Sequence, residues 1–233
     1  MPSGSSTSWG AVILSSGAVG NSTTILASGG YHIYKGAVAY TTMVTSGAQL
    51  GIGFGGTVYN LKIETGANAT FYDGSILRGW SDFAGTVTVN AGLDAAGSMI
   101  NFDITERSTA DGVIISNVAG ITGTSYFVTV DATQSAGRYY LAGNAAGIAS
   151  LTITGTSNVL TTNGAGVALN GNTYNLGLDA GNNLYLDIAK TAGSVDDWDA
   201  MDLGTWDEVE SSAAATLTDG AEEKKGDGFL AIA

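Results

Sequence analysis

The chain has 233 residues, with 35 Gly, one Pro and no Cys, and carries a net charge of −13 from 21 acidic and 8 basic residues. The missing cysteine excludes structural disulfides, thiolate zinc sites and a cysteine nucleophile. The acidic balance, without a basic stripe, argues against nucleic acid as a partner and against attachment to anionic membranes. Gly in a helix interior costs roughly 1 kcal/mol relative to Ala, so this composition predicts an all-β chain whose recurring Val, Ile, Leu and Tyr supply the core.

No targeting segment is visible at the start. Met1 to Gly10 carries no Lys or Arg, and Ala11–Leu14 is too short for the apolar region of a signal peptide. No run approaches the roughly 20 apolar residues of a membrane span, so direct membrane insertion is not expected. The expectation is either a cytosolic chain or a portion of a larger mature protein.

Three consecutive segments then align: Gly17–Gly30, Gly36–Ala48 and Gly56–Ala67. Leading glycines fall at 17, 36, 56 and 74 (steps of 19, 20 and 18), and inner glycines at 29, 47 and 66 (steps of 18 and 19). Two series sharing one period near nineteen mark an internal repeat. Alternating stretches such as Thr42–Thr45 and Tyr59–Ile63 read as strands with one buried face. One such unit cannot bury its own apolar face, and stacking copies about 4.8 Å apart makes a continuous core. The predicted architecture is a β-solenoid over residues 1–92. Val19, Val38 and Val58 are expected to stack inside, as are Ile25, Met43 and Leu61, with Leu26, Val44 and Ile63 as a further ladder. Ala18 and Ala37 suit tight corners.

The Gly-Ala-Val…Thr-Thr…Ser-Gly pattern over roughly residues 10–92 resembles the AIDA-type repeat of passenger regions in bacterial autotransporter adhesins of the diffuse-adherence type. Thr129–Ala132 and Gly137–Ala142 are similar to the region that follows such repeats in large bacterial surface proteins. The resemblance implies a right-handed solenoid, display on the cell surface or secretion, and adhesion or self-association. It also implies partners among glycans or proteins of a host or neighbouring cell, and sugar attachment on Ser or Thr of the repeats. The chain departs from the full family pattern in having about four repeat-like coils and no translocator barrel sequence.

Residues 93–192 are expected to continue the β structure, with strands at Met99–Ile104, Val113–Val118, Tyr126–Val130, Tyr139–Ala142 and Leu151–Thr154. A meander at 159–188 contains a hairpin at Asn170-Gly171 and a turn at Asp179–Asn183. This half either extends the solenoid with irregular coils or forms a small antiparallel sandwich, and either covers an open end. Residues 193–233 hold more than half of the acidic residues, with Trp198 and Trp206 among them. They read as an acidic tail or a truncated further module.

No catalytic, cofactor or metal site is expected. Gly51-Ile-Gly53-Phe-Gly55-Gly56 has the spacing of a dinucleotide motif, but a strand follows it where the motif requires a helix. His32 is the single histidine, and strand alternation sets it on the face opposite Tyr31 and Ile33. Tyr31, Tyr34 and Tyr40 form a candidate binding surface. Asp103, Glu106 and Asp111, around Arg107, are the densest acidic group before the tail, with a turn expected at Glu106–Asp111. Asp196–Asp202 lacks the spacing of a calcium loop. The functional expectation is a non-enzymatic adhesin-like surface or secreted module. A polysaccharide-active β-helix enzyme and a structural fibre spacer are the alternatives.

Overall fold

The computed structural model describes residues 10–191. They form strands, turns and loops without a helix. The acidic segment read at 193–233 lies outside the described residues.

The first coils repeat a short strand, a tight turn, a long strand and a second tight turn. In chain order these are β1 (Gly10–Leu14) and β2 (Val19–Ile25), β3 (Gly29–Ile33) and β4 (Val38–Val44), then β5 (Gln49–Ile52) and β6 (Thr57–Ile63). In the next coil, β7 (Asn68–Phe71) precedes a long strand broken into β8 (Ser75–Arg78) and β9 (Trp80–Phe83). The break occurs at Gly79, one coil beyond Asn60, Thr41 and Ser22, and all four have positive φ, from 48° to 74°. Every long strand is therefore bent at the same place. A further coil holds β10 (Thr86–Val89), β11 (Leu93–Asp94) and β12 (Met99–Asp103). The short strands stack as a parallel sheet in the order β1-β3-β5-β7-β10, and the long strands stack as a second one. This is a β-solenoid of roughly 19-residue coils.

The backbone sets the register more strictly than the glycine alignment does. Gly17 N–H donates to Gly36 O, Gly36 N–H to Gly55 O and Gly55 N–H to Gly74 O, at 2.9–3.0 Å. The leading column is thus 17, 36, 55 and 74, in constant steps of 19, and Gly55 replaces the expected Gly56. The inner column is Ser28, Gly47 and Gly66, linked in the same way, and Ser28 replaces the expected Gly29. Ser28 holds φ at +65° without being glycine, which hides it from a search for glycines.

That one-residue shift rewrites the expected core, because successive strand residues face opposite sides. Val19 pairs with Val38 and then Thr57, and Val19 is 57% exposed. Val58 instead lies in the column Gly20–Ala39–Val58–Leu77. Met43 pairs with Thr24 and Lys62, whereas Leu61 pairs with buried Thr42. Ile25 stacks on Val44, Ile63 and Phe83, all buried. Leu26 is 68% exposed and is no part of the ladder. The first sheet supplies the columns Val12–Tyr31–Leu50–Ala69–Val87 and Leu14–Ile33–Ile52–Phe71–Val89. Complete burial of an Ile or Phe side chain contributes about 1.5–3 kcal/mol, and each coil repeats that contribution.

The stack loses its regularity beyond Asp103. The expected strand at Val113–Val118 is reduced to isolated bridges at Ile115, which pairs with Val87 on one side and Ala142 on the other. Ile114 and Ile115 stay buried, so this stretch fills the core without forming a ladder of its own. The Arg107 guanidinium braces the loop before it by donating to Ala84 O and Gly112 O. Next come β13 (Ile121–Thr122) on β11, β14 (Ser125–Thr129) on β12, β15 (Gly137–Ala142) and β16 (Ser150–Ile153) on β14. The chain then turns antiparallel. β17 (Val159–Thr161) pairs back on β16, while β18 (Val167–Leu169), β19 (Asn172–Leu178) and β20 (Leu184–Lys190) join β15 in the order β15-β20-β19-β18. Asn170 and Gly171 both have positive φ, as a two-residue hairpin with the native strand twist requires. Residues 93–191 divide between irregular parallel coils and an antiparallel part. They continue the parallel stack to β16 and close it with hairpins, whose antiparallel ends give no template for a further parallel coil.

Two outcomes test this packing. A Cβ at Gly56 would stand 2.5 Å from Ile33 O, so Gly56→Ala should lower stability by about 1–3 kcal/mol. Gly147 has open space and an ordinary φ, so Gly147→Ala should be neutral or slightly stabilising; urea unfolding separates the two. Between coils, Arg78 clasps Asp94 with Nη2 2.7 Å from Oδ2. The Arg78 hydrogen bond, aided by the Ala96 N–H, holds the Asp94 carboxyl below its usual pKa. A depressed carboxylate pKa stabilises the fold above the unfolded-state value, and that contribution disappears as pH falls through the folded value. Asp94→Asn should cost less than about 1 kcal/mol near neutral pH because water screens the pair. Its deficit against the parent should shrink below about pH 4, read from denaturation midpoints across pH.

Candidate functional site

Strand alternation sends Ile13, His32, Gly51, Thr70 and Thr88 outward from the first sheet as one column. The adjoining corner carries Tyr34, Gly53 and Tyr72, whose N–H groups bond the preceding coil at Leu14 O, Ile33 O and Ile52 O. Both columns therefore have a glycine on the same coil, between larger side chains on the neighbouring coils. A Cβ at Gly51 would stand 2.6 Å from His32 Nδ1, and one at Gly53 would stand 3.4 Å from Tyr34 Cδ1. The His32 and Tyr34 rings thus lean over the two glycines. Their centroids are 6.3 Å apart and their planes differ by 19°.

The result is a cleft of about 310 Å³ lined by His32, Tyr34, Gly51, Gly53, Phe54 and Tyr72. Tyr34 and Tyr72 are separated by two coil steps, about 9.6 Å along the stack at about 4.8 Å per step. Phe54 is 61% exposed, its ring lies over Gly74, and Lys35 Nζ sits 5.6 Å from its centroid. A smaller hollow of about 90 Å³ continues the cleft past Gly51 to Gln49, Asn68 and Thr70. Aromatic walls, a glycine floor and a polar margin are the usual make-up of a small-molecule site, at the lower end of the usual size range of about 300–1,000 Å³.

The candidate surface of Tyr31, Tyr34 and Tyr40 does not form as a unit. Tyr31 is 2% exposed, since it points inward between Val12 and Leu50. A Cβ at Gly20 would be 2.2 Å from its hydroxyl, so the missing side chain at Gly20 makes room for Tyr31. Tyr40 is exposed but belongs to the other sheet, where it stacks on Tyr59 with centroids 4.9 Å apart. Of the three, Tyr34 alone lines the cleft. Phe54, Tyr72 and the floor glycines were missed, though the nineteen-residue spacing of Tyr34, Gly53 and Tyr72 was available as a signal.

Other polar groups are largely engaged in holding the fold. Asp103 Oδ1 accepts from the Thr105 N–H and hydroxyl, at 3.1 and 2.7 Å. Asp111 accepts from Ser108 N–H at 2.8 Å, which ties the turn around Arg107. Glu64, Asp103 and Glu106, with Lys62, line a separate hollow of about 160 Å³. Asp82 Oδ1 accepts from Trp80 Nε1 and Asn101 Nδ2 at 2.8 and 2.9 Å, and Asn101 reaches on to Thr129 and Thr154. Arg138 holds Asp187 through two hydrogen bonds of 2.8 Å. Among the described residues, no three His, Asp or Glu side chains converge as metal ligands would. The Gly51–Gly56 motif is accounted for by the solenoid. Gly51 and Gly53 make the floor, Gly55 turns the corner at φ +66°, and Gly56 packs on Ile33 O.

No protein-family model matches the chain, and no curated protein sequence matches it.

The contrast between the tyrosines is measurable by thermal or urea unfolding. Tyr31→Ala should cost about 3–5 kcal/mol as a large core deletion, whereas Tyr34→Ala should stay within about 0.5 kcal/mol of the parent.

Proposed function

We propose that the chain is a non-enzymatic, adhesin-like module of a bacterial cell-surface or secreted protein. It presents a stacked β-surface to glycans or proteins of a host or neighbouring cell, or to its own copies. The observation that carries this reading is the exposed aromatic group of Tyr34, Phe54 and Tyr72, repeated at one corner of successive coils. Exposed tyrosine and phenylalanine offer large contact area at little cost in side-chain entropy, and rigid strands hold such contacts in place better than loops do. The repeat pattern that resembles AIDA-type passengers supports surface display, and the −13 charge keeps such a surface away from nucleic acid and anionic lipid.

One observation favours the enzymatic alternative, namely the hollow where Glu64, Asp103 and Glu106 meet. Carboxylates facing each other at roughly 5–10 Å are the equipment for glycosidic cleavage. Against this, the Asp103 carboxylate is already engaged by Thr105.

Beads coated with the full 233-residue chain should adhere to epithelial cells or to bacteria displaying the chain. The combined change Tyr34→Ala, Phe54→Ala and Tyr72→Ala should reduce the bound count at least several-fold without shifting the unfolding midpoint. Equal adhesion by coated and bare beads would contradict the proposal. So would turnover of a polysaccharide panel that Asp103→Asn abolishes.

A further inference from the structure

We infer that the cleft between Tyr34 and Tyr72 is a binding site for an uncharged pyranose unit of a glycan; this deepens the binding-module reading above and rests on it. Three features of the cleft lead to that ligand.

The first is shape. Gly51 and Gly53 are the outward residues of one coil, and each removes a side chain from between its neighbours on the coils above and below. The Tyr34 and Tyr72 backbones therefore lie two coil steps apart, about 9.6 Å, and the His32 and Tyr34 rings lean into that interval over the two glycines. A saturated six-membered ring resting against an aromatic face needs roughly one van der Waals contact of 3.5–4.0 Å on each side. Full side chains at 51 and 53 would fill the slot.

The second is the chemistry of the walls. A pyranose has apolar C–H faces and a rim of hydroxyls. Tyr34, Tyr72 and Phe54 supply aromatic carbon to the lining, and its contacts with C–H groups are individually weak and add up over several atoms. The tyrosine hydroxyls and His32 offer donors and acceptors close by. Gln49, Asn68 and Thr70 extend that polar margin along the same face. A purely apolar occupant would leave these groups unused. An amide- and hydroxyl-rich rim beside aromatic faces suits a ligand that is apolar on its faces and polar at its edge.

The third is charge. Among the described residues, no carboxylate or ammonium lines the cleft. The flanking charges already have partners: Lys35 lies over the Phe54 ring at the margin of the cleft, and Asp73 accepts from Gly92 N–H at 3.1 Å. With no cation among the described residues lining the cleft, uronate and sulfated sugars find no countercharge there and neutral ones are selected. A shallow, open site of this size gives weak single-site binding, which repeated display strengthens by avidity.

The test is titration of the full chain with neutral tetrasaccharides of β-linked glucose, β-linked N-acetylglucosamine, β-linked galactose and α-linked mannose. Heparin and polygalacturonate oligosaccharides form the acidic arm. Binding is followed by calorimetry and by saturation-transfer NMR. At least one neutral sugar should bind, with transfer strongest to its C–H face. Gly53→Leu should weaken that binding at least tenfold. Its added Cβ makes ordinary contact with Tyr34 and Gly53 has no positive φ, so the unfolding midpoint should not move. Tyr34→Ala and Tyr72→Ala should each weaken binding similarly, and Tyr40→Ala, on the other sheet, should leave it unchanged. Failure of every neutral sugar to bind, tighter binding of the acidic ones, or affinity indifferent to Gly53→Leu overturns the inference. So does self-association that Gly53→Leu abolishes while no sugar binds. Bead adhesion that survives Gly53→Leu with no sugar bound sinks the cleft and spares the adhesin reading. Sugar binding by a chain that adheres to nothing does the reverse.

Discussion

One constraint orders the rest of the molecule: each coil must hydrogen-bond the next along its whole path. In a parallel stack a shift of one residue exchanges the buried and exposed faces of a strand. The bonds from Gly17 through Gly36 and Gly55 to Gly74 hold coil length at nineteen, and the steps from Phe71 to Val89 and from Ile63 to Phe83 then depart from it by one residue. Positions that need positive φ recur at the same interval, at 22, 41, 60 and 79 in the bend and at 28, 47 and 66 in the turn. The buried columns follow from that register. Ile25, Val44, Ile63 and Phe83 are one position repeated, and so are Leu14, Ile33, Ile52, Phe71 and Val89.

The same register builds the cleft. Outward positions on successive coils are neighbours about 4.8 Å apart, so a residue pattern in the repeat becomes a surface pattern. An aromatic, a glycine and an aromatic at 34, 53 and 72 become wall, floor and wall. Glycine has two separate duties here. Gly55 turns a corner at positive φ, whereas Gly53 sits in ordinary backbone and matters because it has no side chain. The stack also sets where such a surface can stop. Beyond Asp103 the coils lengthen, and Ile115 carries the core across by single bridges. The antiparallel strands β17 to β20 then replace the parallel edge.

Much of this was legible in the residues. The period near nineteen, the all-β class and the Asn170–Gly171 hairpin follow from glycine spacing and alternation. The exact register does not, for local reasons. Gly55 and Gly56 stand side by side and either fits an alignment, but only Gly55 turns the corner. Ser28 fills a left-handed position that glycine usually takes, so a glycine series starts one residue late, at Gly29. In the structure Val19 and Leu26 lie outside the core, Ala39 lies inside it, and Val44 and Ile63 are buried as expected. Alternation already sets Tyr31 on the face of Ile33, opposite His32, and that face is the buried one, so Tyr31 is no surface partner of Tyr34 and Tyr40. Its burial depends on Gly20, one coil away in the stack. The cleft was hidden for the same reason, since its parts lie nineteen residues apart and include two residues with no side chain.

The nineteen-residue register is most directly tested by deletion. Removing residues 36–54 takes out one whole coil and joins Lys35 to Gly55, the residue that occupies the position of Gly36 in the next coil. A constant register predicts a folded, β-rich product by circular dichroism with a cooperative urea transition, and predicts that deletion of Tyr40 alone gives a chain lacking that transition. Comparable loss of folding in the two deletions, or a Tyr40 deletion as stable as the whole-coil deletion, would contradict it.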